Sequence, residues 1–144
     1  MSSVRFPAND LRALAARQLF AAAFVASGID KLFWPLATVE SFRSLGLPAP
    51  MLGCVGSMLL ELTCGVLLVV GYRTRAAANL LAGWCILSAA LFHHGLADHH
   101  QLSEFLKNFG LAGGLLALSI GGAGAFSLDR MMVDDAFAST PARY

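Results

Sequence analysis

Residues 51–70, MLGCVGSMLLELTCGVLLVV, form an apolar stretch with a single charged residue, Glu61, at its centre. An α-helix crosses the hydrocarbon core of a bilayer with about 20 such residues. A carboxylate at mid-membrane costs roughly 2.5 to 3.5 kcal/mol on insertion scales, so it is rarely kept on a lipid-facing surface. We therefore predict a membrane protein with a polar site inside, and Glu61 is the first candidate for that site.

Three further apolar stretches of similar length accompany the first. The four predicted spans cover residues 11–29, 51–70, 76–96 and 109–126. The chain is 57% hydrophobic and 13% charged, whereas soluble domains carry about 25% charged residues. A soluble bundle of buried helices would need a charged outer face on every helix, and the last three stretches have none. The predicted fold class is all-α, an integral membrane four-helix bundle.

The distribution of Lys and Arg predicts the topology. The connection 71–75 is so short that the helices on either side must be antiparallel neighbours, as in an up-down-up-down bundle. With the N-terminus in the cytoplasm, seven basic residues lie on the cytoplasmic side: Arg5, Arg12, Arg17, Arg73, Arg75, Arg130 and Arg143. The opposite side holds Lys31, Arg43 and Lys107. Both termini are therefore predicted to be cytoplasmic, with one membrane domain over 1–130 and a partly disordered tail over 131–144.

Two segments have an alternative interpretation. The basic residues before the first span, and the small residues 26–28 within it, are also typical of a cleavable signal peptide. A retained helix is preferred, because cleavage would leave only three spans. In the loop 30–50, the amphipathic stretch 36–45 predicts a short helix at the outer interface, anchored by Phe33 and Trp34. An irregular loop covering the mouth of the bundle is the alternative.

Glu61 is predicted to face the bundle interior. The residues one and two turns away on its side of the helix are small or polarizable: Cys54, Ser57, Met58, Cys64 and Gly65. Arg17 on the first span differs from Glu61 in depth by roughly 5 Å, which a long side chain can bridge. A buried acid and base together cost less than either alone. We expect either a structural Arg17–Glu61 ion pair or a site at which the two residues bind a ligand or handle protons.

Histidines form a second candidate site. His93, His94, His99 and His100 flank the end of the third span near Asp98, and imidazole with carboxylate suits zinc, copper or nickel. If the helix continued, His93 and His100 would share a face. A solvated, pH-sensitive loop is the alternative. The cysteines show no Cys-x-x-Cys spacing, so buried free thiols are expected.

The fourth span carries small residues at helical spacing, which allow close approach of another helix. They are Gly110, Gly114, Ala117, Gly121 and Gly124. The partner is either another helix of the bundle or a second subunit, so homo-oligomer contact through the Gly110/Gly114 face is one of two interpretations. A transport pathway would need such an oligomer, since four helices alone rarely enclose one. The net charge is only +1, and no phosphate-binding glycine motif or basic run occurs, which excludes nucleic-acid partners.

Several short motifs follow one another in a characteristic order between Arg17 and Asp129. They are Gly28-Ile29-Asp30-Lys31-Leu32, Gly46-Leu47-Pro48, Glu61 followed by Gly65-Val66-Leu67-Leu68 and Gly71, Phe105-Leu106-Lys107-Asn108, and Gly122-x-Gly124-x-x-Ser127-Leu128-Asp129. In order and spacing the chain resembles the DoxX family of small bacterial four-helix membrane proteins, which is named after a subunit of a thiosulfate:quinone oxidoreductase.

The resemblance implies a multi-pass protein of the bacterial inner membrane. It also implies a membrane subunit of an oxidoreductase system that contacts quinone or a partner redox subunit. The candidate catalytic residues are Glu61 and Arg17, and the same two residues with Lys31, Lys107 and Asn108 are candidates for cofactor binding. No haem, flavin or iron–sulfur motif is present, so electrons would come from another subunit or from a cofactor without a sequence signature. The alternative is a non-catalytic scaffold or a metal-handling accessory protein.

Overall fold

A computed structural model describes residues 8–93 and 97–138. All regular secondary structure in this part of the chain is α-helical, and it contains no strands. The helices are α1 (Ala8–Phe33), α2 (Leu36–Ser44), α3 (Pro50–Val70), α4 (Thr74–Phe92), α5 (His99–Gly121) and α6 (Leu128–Ala138). The predicted all-α fold class is confirmed. α1, α3 and α4 are long and apolar enough to cross a membrane. α5 is of similar length, but its first half carries Glu104, Lys107 and Asn108.

The ends of α3 show how local sequence sets the helix bounds. Pro50 is its first residue, where an intrahelical N–H bond is not needed. Gly71 follows its last residue with a φ of 69°, a left-handed conformation that glycine adopts without steric cost. The Tyr72 N–H donates to the Leu67 carbonyl at 3.0 Å and closes the helix end. α4 begins at Thr74, so it packs beside α3 as the short connection predicts.

α5 differs from the predicted fourth span at both ends. It begins at His99, because the Asp98 carboxylate accepts the His100 N–H at 2.8 Å as an N-cap. It ends at Gly121, because Gly122 and Gly124 have φ values of 81° and 75° that a helix cannot continue through. Gly124 is therefore not part of the helical glycine stripe. α6 overlaps the first half of the segment predicted as a partly disordered tail.

The four long helices share one apolar core. Its fully or nearly fully buried members are Ala21, Phe24, Cys64, Leu68, Ala77, Ala78, Leu81, Ala82, Cys85, Ala112, Leu115 and Leu118. Glycines allow the close helix contacts: a Cβ on Gly65 of α3 would lie 2.8 Å from Cγ2 of Val25, and one on Gly114 of α5 would lie 2.5 Å from Cζ of Phe20. α1 thus packs against both α3 and α5. The three cysteines are buried and free, as predicted.

The predicted short helix in the first loop is present as α2, and it packs against α3. Val39 and Phe42 form a second small apolar cluster with Cys54. The Phe42 ring meets Phe92 edge to face, with ring centroids 5.1 Å apart. α2 therefore covers part of the end at which α1 and α4 terminate.

Candidate functional site

Glu61 faces the interior, as predicted, and lies where α1, α3 and α4 meet. Its side chain is 5% exposed, and both carboxylate oxygens accept hydrogen bonds. The Lys31 ammonium donates to Oε2 at 2.7 Å, and the indole N–H of Trp84 donates to Oε1 at 2.9 Å. Lys31 also donates to the Ser27 hydroxyl at 2.7 Å. A buried carboxylate is therefore compensated by one cation and one neutral donor.

The predicted Arg17–Glu61 ion pair is wrong. Arg17 is 1% exposed, but its guanidinium donates to two backbone carbonyls instead, to Ala123 at 2.8 Å and to Phe126 at 2.6 Å. Both carbonyls belong to the segment between α5 and α6. Arg17 consequently joins the first helix to the C-terminal part of the chain, and it does not reach the Glu61 site.

The register between α1 and α3 explains the error. Gly28 lies directly against Leu62, and Gly71 lies directly against Arg17. Glu61 is therefore level with the last two turns of α1, while Arg17 is level with the far end of α3. The two residues are about 15 Å apart along the helix axis, because ten residues of helix separate these levels at 1.5 Å each. The predicted difference of roughly 5 Å assumed that the start of the first helix is level with the end of the second. In the structure Arg17, nine residues after the start of α1 at Ala8, is level with Gly71, so α1 extends beyond this end of α3.

A cavity of about 190 Å³ lies beside the Glu61 cluster. Its polar lining residues are Ser27, Lys31, Glu61, Trp84, Ser88 and Asn108, and its apolar ones are Ala23, Phe24, Cys85 and Leu111. An engineered apolar cavity of about 150 Å³ takes up benzene. The cavity is therefore large enough for one six-membered ring, and smaller than the roughly 300 Å³ at which pockets for drug-sized ligands begin.

The cavity lining has hydrogen-bonding capacity to spare. A lysine ammonium has three N–H donors, and Lys31 uses two of them on Ser27 and Glu61. Asn108 uses one amide N–H on the Glu104 carbonyl at 3.0 Å. The other groups of Asn108 have no further hydrogen bond to residues that the structure describes. A guest with a carbonyl oxygen would find its donors here.

The remaining predicted site residues divide clearly. Asn108 lines the cavity with Lys31 and Glu61. Lys107 does not: its side chain is 62% exposed and forms an ion pair with Glu104 at 2.7 Å. Three of the five predicted ligand-binding residues thus line the cavity.

Sequence reasoning missed Trp84 and Ser27. Trp84 follows no polar pattern within its apolar span, so nothing marked it as a partner of Glu61. Ser27 could have been found, because it lies one turn before Lys31 on the same face of α1.

The predicted histidine site is only partly described. α4 ends at Phe92, so His93 and His100 do not share one helix face as a continuous helix would require. The His93 Nδ1 atom lies 3.1 Å from Oε1 of Gln101. Among residues 8–93 and 97–138, no three His, Cys, Asp or Glu side chains come close enough to hold a metal ion. His94 lies outside the described residues, and His99 is exposed. The metal site stays a prediction.

A larger cleft of about 830 Å³ lies at the opposite end of the molecule. Its charged lining residues are Asp10, Arg73, Arg75, Asp129 and Arg130. The two carboxylates are occupied by backbone N–H groups: Asp129 accepts from Arg73 at 2.6 Å and Thr74 at 2.9 Å, and Asp10 accepts from Ala125 at 3.0 Å. These contacts cap α4 and hold the segment between α5 and α6, so their role is structural.

Comparison with known proteins gives a family match and two similar relatives. The sequence profile of the DoxX family matches residues 12–94. Inner membrane protein YqjF of Escherichia coli (strain K12) is 36% identical over 124 residues, which cover 86% of this chain and 94% of that protein. Inner membrane protein YphA of the same organism is 36% identical over 112 residues, covering 74% of this chain and 80% of that protein. No solved structure matches the chain significantly.

Proposed function

Because the chain belongs to the DoxX family, we propose that it is a multi-pass protein of the bacterial inner membrane and an integral subunit of a quinone-linked oxidoreductase system. Two relatives named as inner membrane proteins support the location. We propose four spans in an up-down-up-down bundle, with α5 as the fourth. The excess of Lys and Arg at the end that carries Arg17 supports cytoplasmic termini. Lys31 and α2 then lie toward the outer side.

One observation carries the functional proposal: a lysine–glutamate pair and an indole converge on a ring-sized cavity inside apolar helices. A quinone headgroup is a six-membered ring with carbonyl oxygens, and it matches the volume of about 190 Å³. Its isoprenoid tail would remain outside, among lipid. Phe24 and Leu111 offer apolar walls, and Lys31 has one uncommitted N–H for a quinone oxygen.

The proposed chemistry assigns binding and proton handling to this chain. Reduction of a quinone to a quinol takes two electrons and two protons. The Lys31 ammonium donates a hydrogen bond to one quinone oxygen and supplies the first proton there as charge develops on it. Water then reprotonates the Lys31 amine and is the source of the second proton. The Glu61 carboxylate holds Lys31 in place and stabilises the ammonium. The sequence shows no redox-cofactor motif, so we assign the electrons to a partner subunit.

Trp84 provides a direct test, because it lies in the cavity and the chain has only two tryptophans. In a Trp34→Phe background, the fluorescence of purified protein reports on Trp84 alone. Titration with a short-chain ubiquinone is expected to give saturable quenching. Trp84→Phe retains exposed Trp34 and serves as the control for non-specific quenching within the micelle. Quenching that fails to saturate, and is equal in the two proteins, would contradict the proposal.

Glu61→Gln separates the redox proposal from a scaffold function. Both Glu61 oxygens accept hydrogen bonds, and a glutamine of the same shape presents an NH₂ group to one of the two donors. The redox proposal predicts a folded protein that has lost saturable quenching. A scaffold, in which the Lys31–Glu61 pair only fixes helix packing, predicts loss of folding first. Glu40→Gln, on the exposed side of α2, is the matched control and should leave both properties unchanged.

A further inference from the structure

We propose that the cavity beside Glu61 communicates with water from one end only, the end at which α1 and α4 terminate, and that protons and small polar solutes reach it past Lys31 and Asn108. Its significance rests on the proposed function, because the open end decides which side of the membrane exchanges protons with the bound quinone. The geometry itself stands on three observations within the described residues.

The first observation is the position of Lys31. It lies in the last turn of α1, two residues before the helix ends at Phe33. Its side chain is 14% exposed, against 5% for Glu61. The Lys31 side chain therefore reaches the surface of the protein, and its Nζ atom also donates a hydrogen bond to the Glu61 carboxylate. A proton that reaches Lys31 from the surface is then one hydrogen bond away from Glu61.

The second observation is a row of polar groups on the first three turns of α5. Asn108 lines the cavity and donates to the carbonyl of Glu104, one turn nearer the surface. The Glu104 side chain is 28% exposed and paired with exposed Lys107. His93 lies at the same end, with its Nδ1 atom 3.1 Å from Oε1 of Gln101 on the first turn of α5. Polar side chains therefore lead from the surface to the cavity on the side of α5, while α2 covers the side of α3 with Val39 and Phe42.

The third observation is the apolar layer at the other end of the cavity. Leu68, Leu81 and Leu115, from three different helices, are 0% exposed and pack together with Ala21. About 15 Å of helix separates Glu61 from the level of Arg17, and the Arg17 guanidinium is committed to backbone carbonyls. Buried water needs two to four polar partners, and this apolar layer offers none among its side chains. Water is therefore excluded from that direction.

Thiol labelling from each side of the membrane tests the inference. The three native cysteines are replaced by alanine, and one cysteine is introduced by Ser27→Cys, at the cavity wall beside Lys31. The probe is a charged, membrane-impermeant methanethiosulfonate, applied to right-side-out and inside-out vesicles. Lys31 favours the thiolate that reacts. Ser44 on α2 and Asp135 on α6 are exposed and lie at opposite ends of the helix bundle. Ser44→Cys and Asp135→Cys therefore serve as markers for the two sides of the membrane.

We expect Ser27→Cys to be labelled from the same side as Ser44→Cys and to lose labelling in vesicles of the other orientation. Leu81→Cys, in the apolar layer, should remain unlabelled from both sides. Labelling of Ser27→Cys from the Asp135 side, from both sides or from neither would overturn the inference. If Ser27→Cys does not fold, Ser88→Cys on α4 replaces it, because Ser88 lines the same cavity. One-sided labelling without saturable quinone quenching would retain the one-sided access and reject the quinone proposal.

Discussion

Replacing Gly65 with alanine should disturb the contact between α1 and α3 on which the Glu61 site depends. A Cβ at this position would lie 2.8 Å from Cγ2 of Val25 and 3.3 Å from its backbone nitrogen. Carbon atoms pack best at about 3.5 to 4.0 Å, so roughly 1 Å of separation is needed. Valine is restricted at χ1 and a backbone atom moves only with its helix. The helices must therefore separate locally.

The free-energy cost follows from comparison with Gly56→Ala in the same helix. A Cβ on Gly56 would have no neighbour within 4 Å. Both substitutions gain the same helix propensity, about 1 kcal/mol, and this gain cancels in the difference. Overpacking typically costs about 1 to 3 kcal/mol. We therefore expect Gly65→Ala to be less stable than Gly56→Ala by about 1 to 3 kcal/mol.

Unfolding in mixed micelles with increasing sodium dodecyl sulfate, followed by far-ultraviolet circular dichroism, measures this difference. The separation should also stretch the 2.7 Å contact between Lys31 and Glu61, since the same two helices carry these residues. Gly65→Ala should then show weaker quinone quenching of Trp84. Equal stability of the two alanine variants would refute the packing argument, because it would show that α1 and α3 are not in contact at Gly65.

Three further predictions use the same unfolding assay. Arg17→Lys cannot reach both backbone carbonyls, so we expect a loss of about 1.5 to 3 kcal/mol, whereas exposed Arg12→Lys should change nothing; equal effects would contradict the buried contacts. Asp129→Asn leaves one acceptor oxygen in place of two for the backbone N–H groups at the start of α4, and it should lower the stability by about 1 kcal/mol. Lys31→Met leaves Glu61 without its cation and should cost about 3 to 5 kcal/mol. Adding Glu61→Gln should recover part of that loss, and a double variant no more stable than Lys31→Met would argue against the charge as its cause.

The sequence predicts α3 to within one residue, 51–70 against Pro50–Val70, because proline and glycine mark both ends. It also predicts correctly that Glu61 faces inward, since helical periodicity alone places small residues on its side. The partner of Glu61 could not be predicted in the same way. Pairing across two helices depends on their register, and the register depends on contacts such as Gly28 with Leu62 that belong to both helices.

The C-terminal third was predicted less well, for a different reason. Hydropathy extends the fourth span to residue 126, but backbone geometry ends α5 at Gly121. The signal was present in the two glycines that follow, yet glycines within an apolar stretch are also typical of close helix packing. Glycine in this stretch was therefore compatible both with a continuing, closely packed helix and with a helix end. The start of α5 at His99 depends on the Asp98 cap, which hydropathy does not detect.

The contacts of Arg17 impose an order on biosynthesis. The chain is made from its N-terminus, so α1 enters the membrane while residues 123 and 126 have not yet been translated. Until they emerge from the ribosome, the guanidinium lacks the two carbonyls that later accept its hydrogen bonds, and burying an unpaired charge is strongly unfavourable. We therefore expect α1 to settle to its final depth only after residues 123 and 126 have been synthesised. A nascent chain arrested before residue 122 should therefore hold its first helix in a shallower position than the finished protein does.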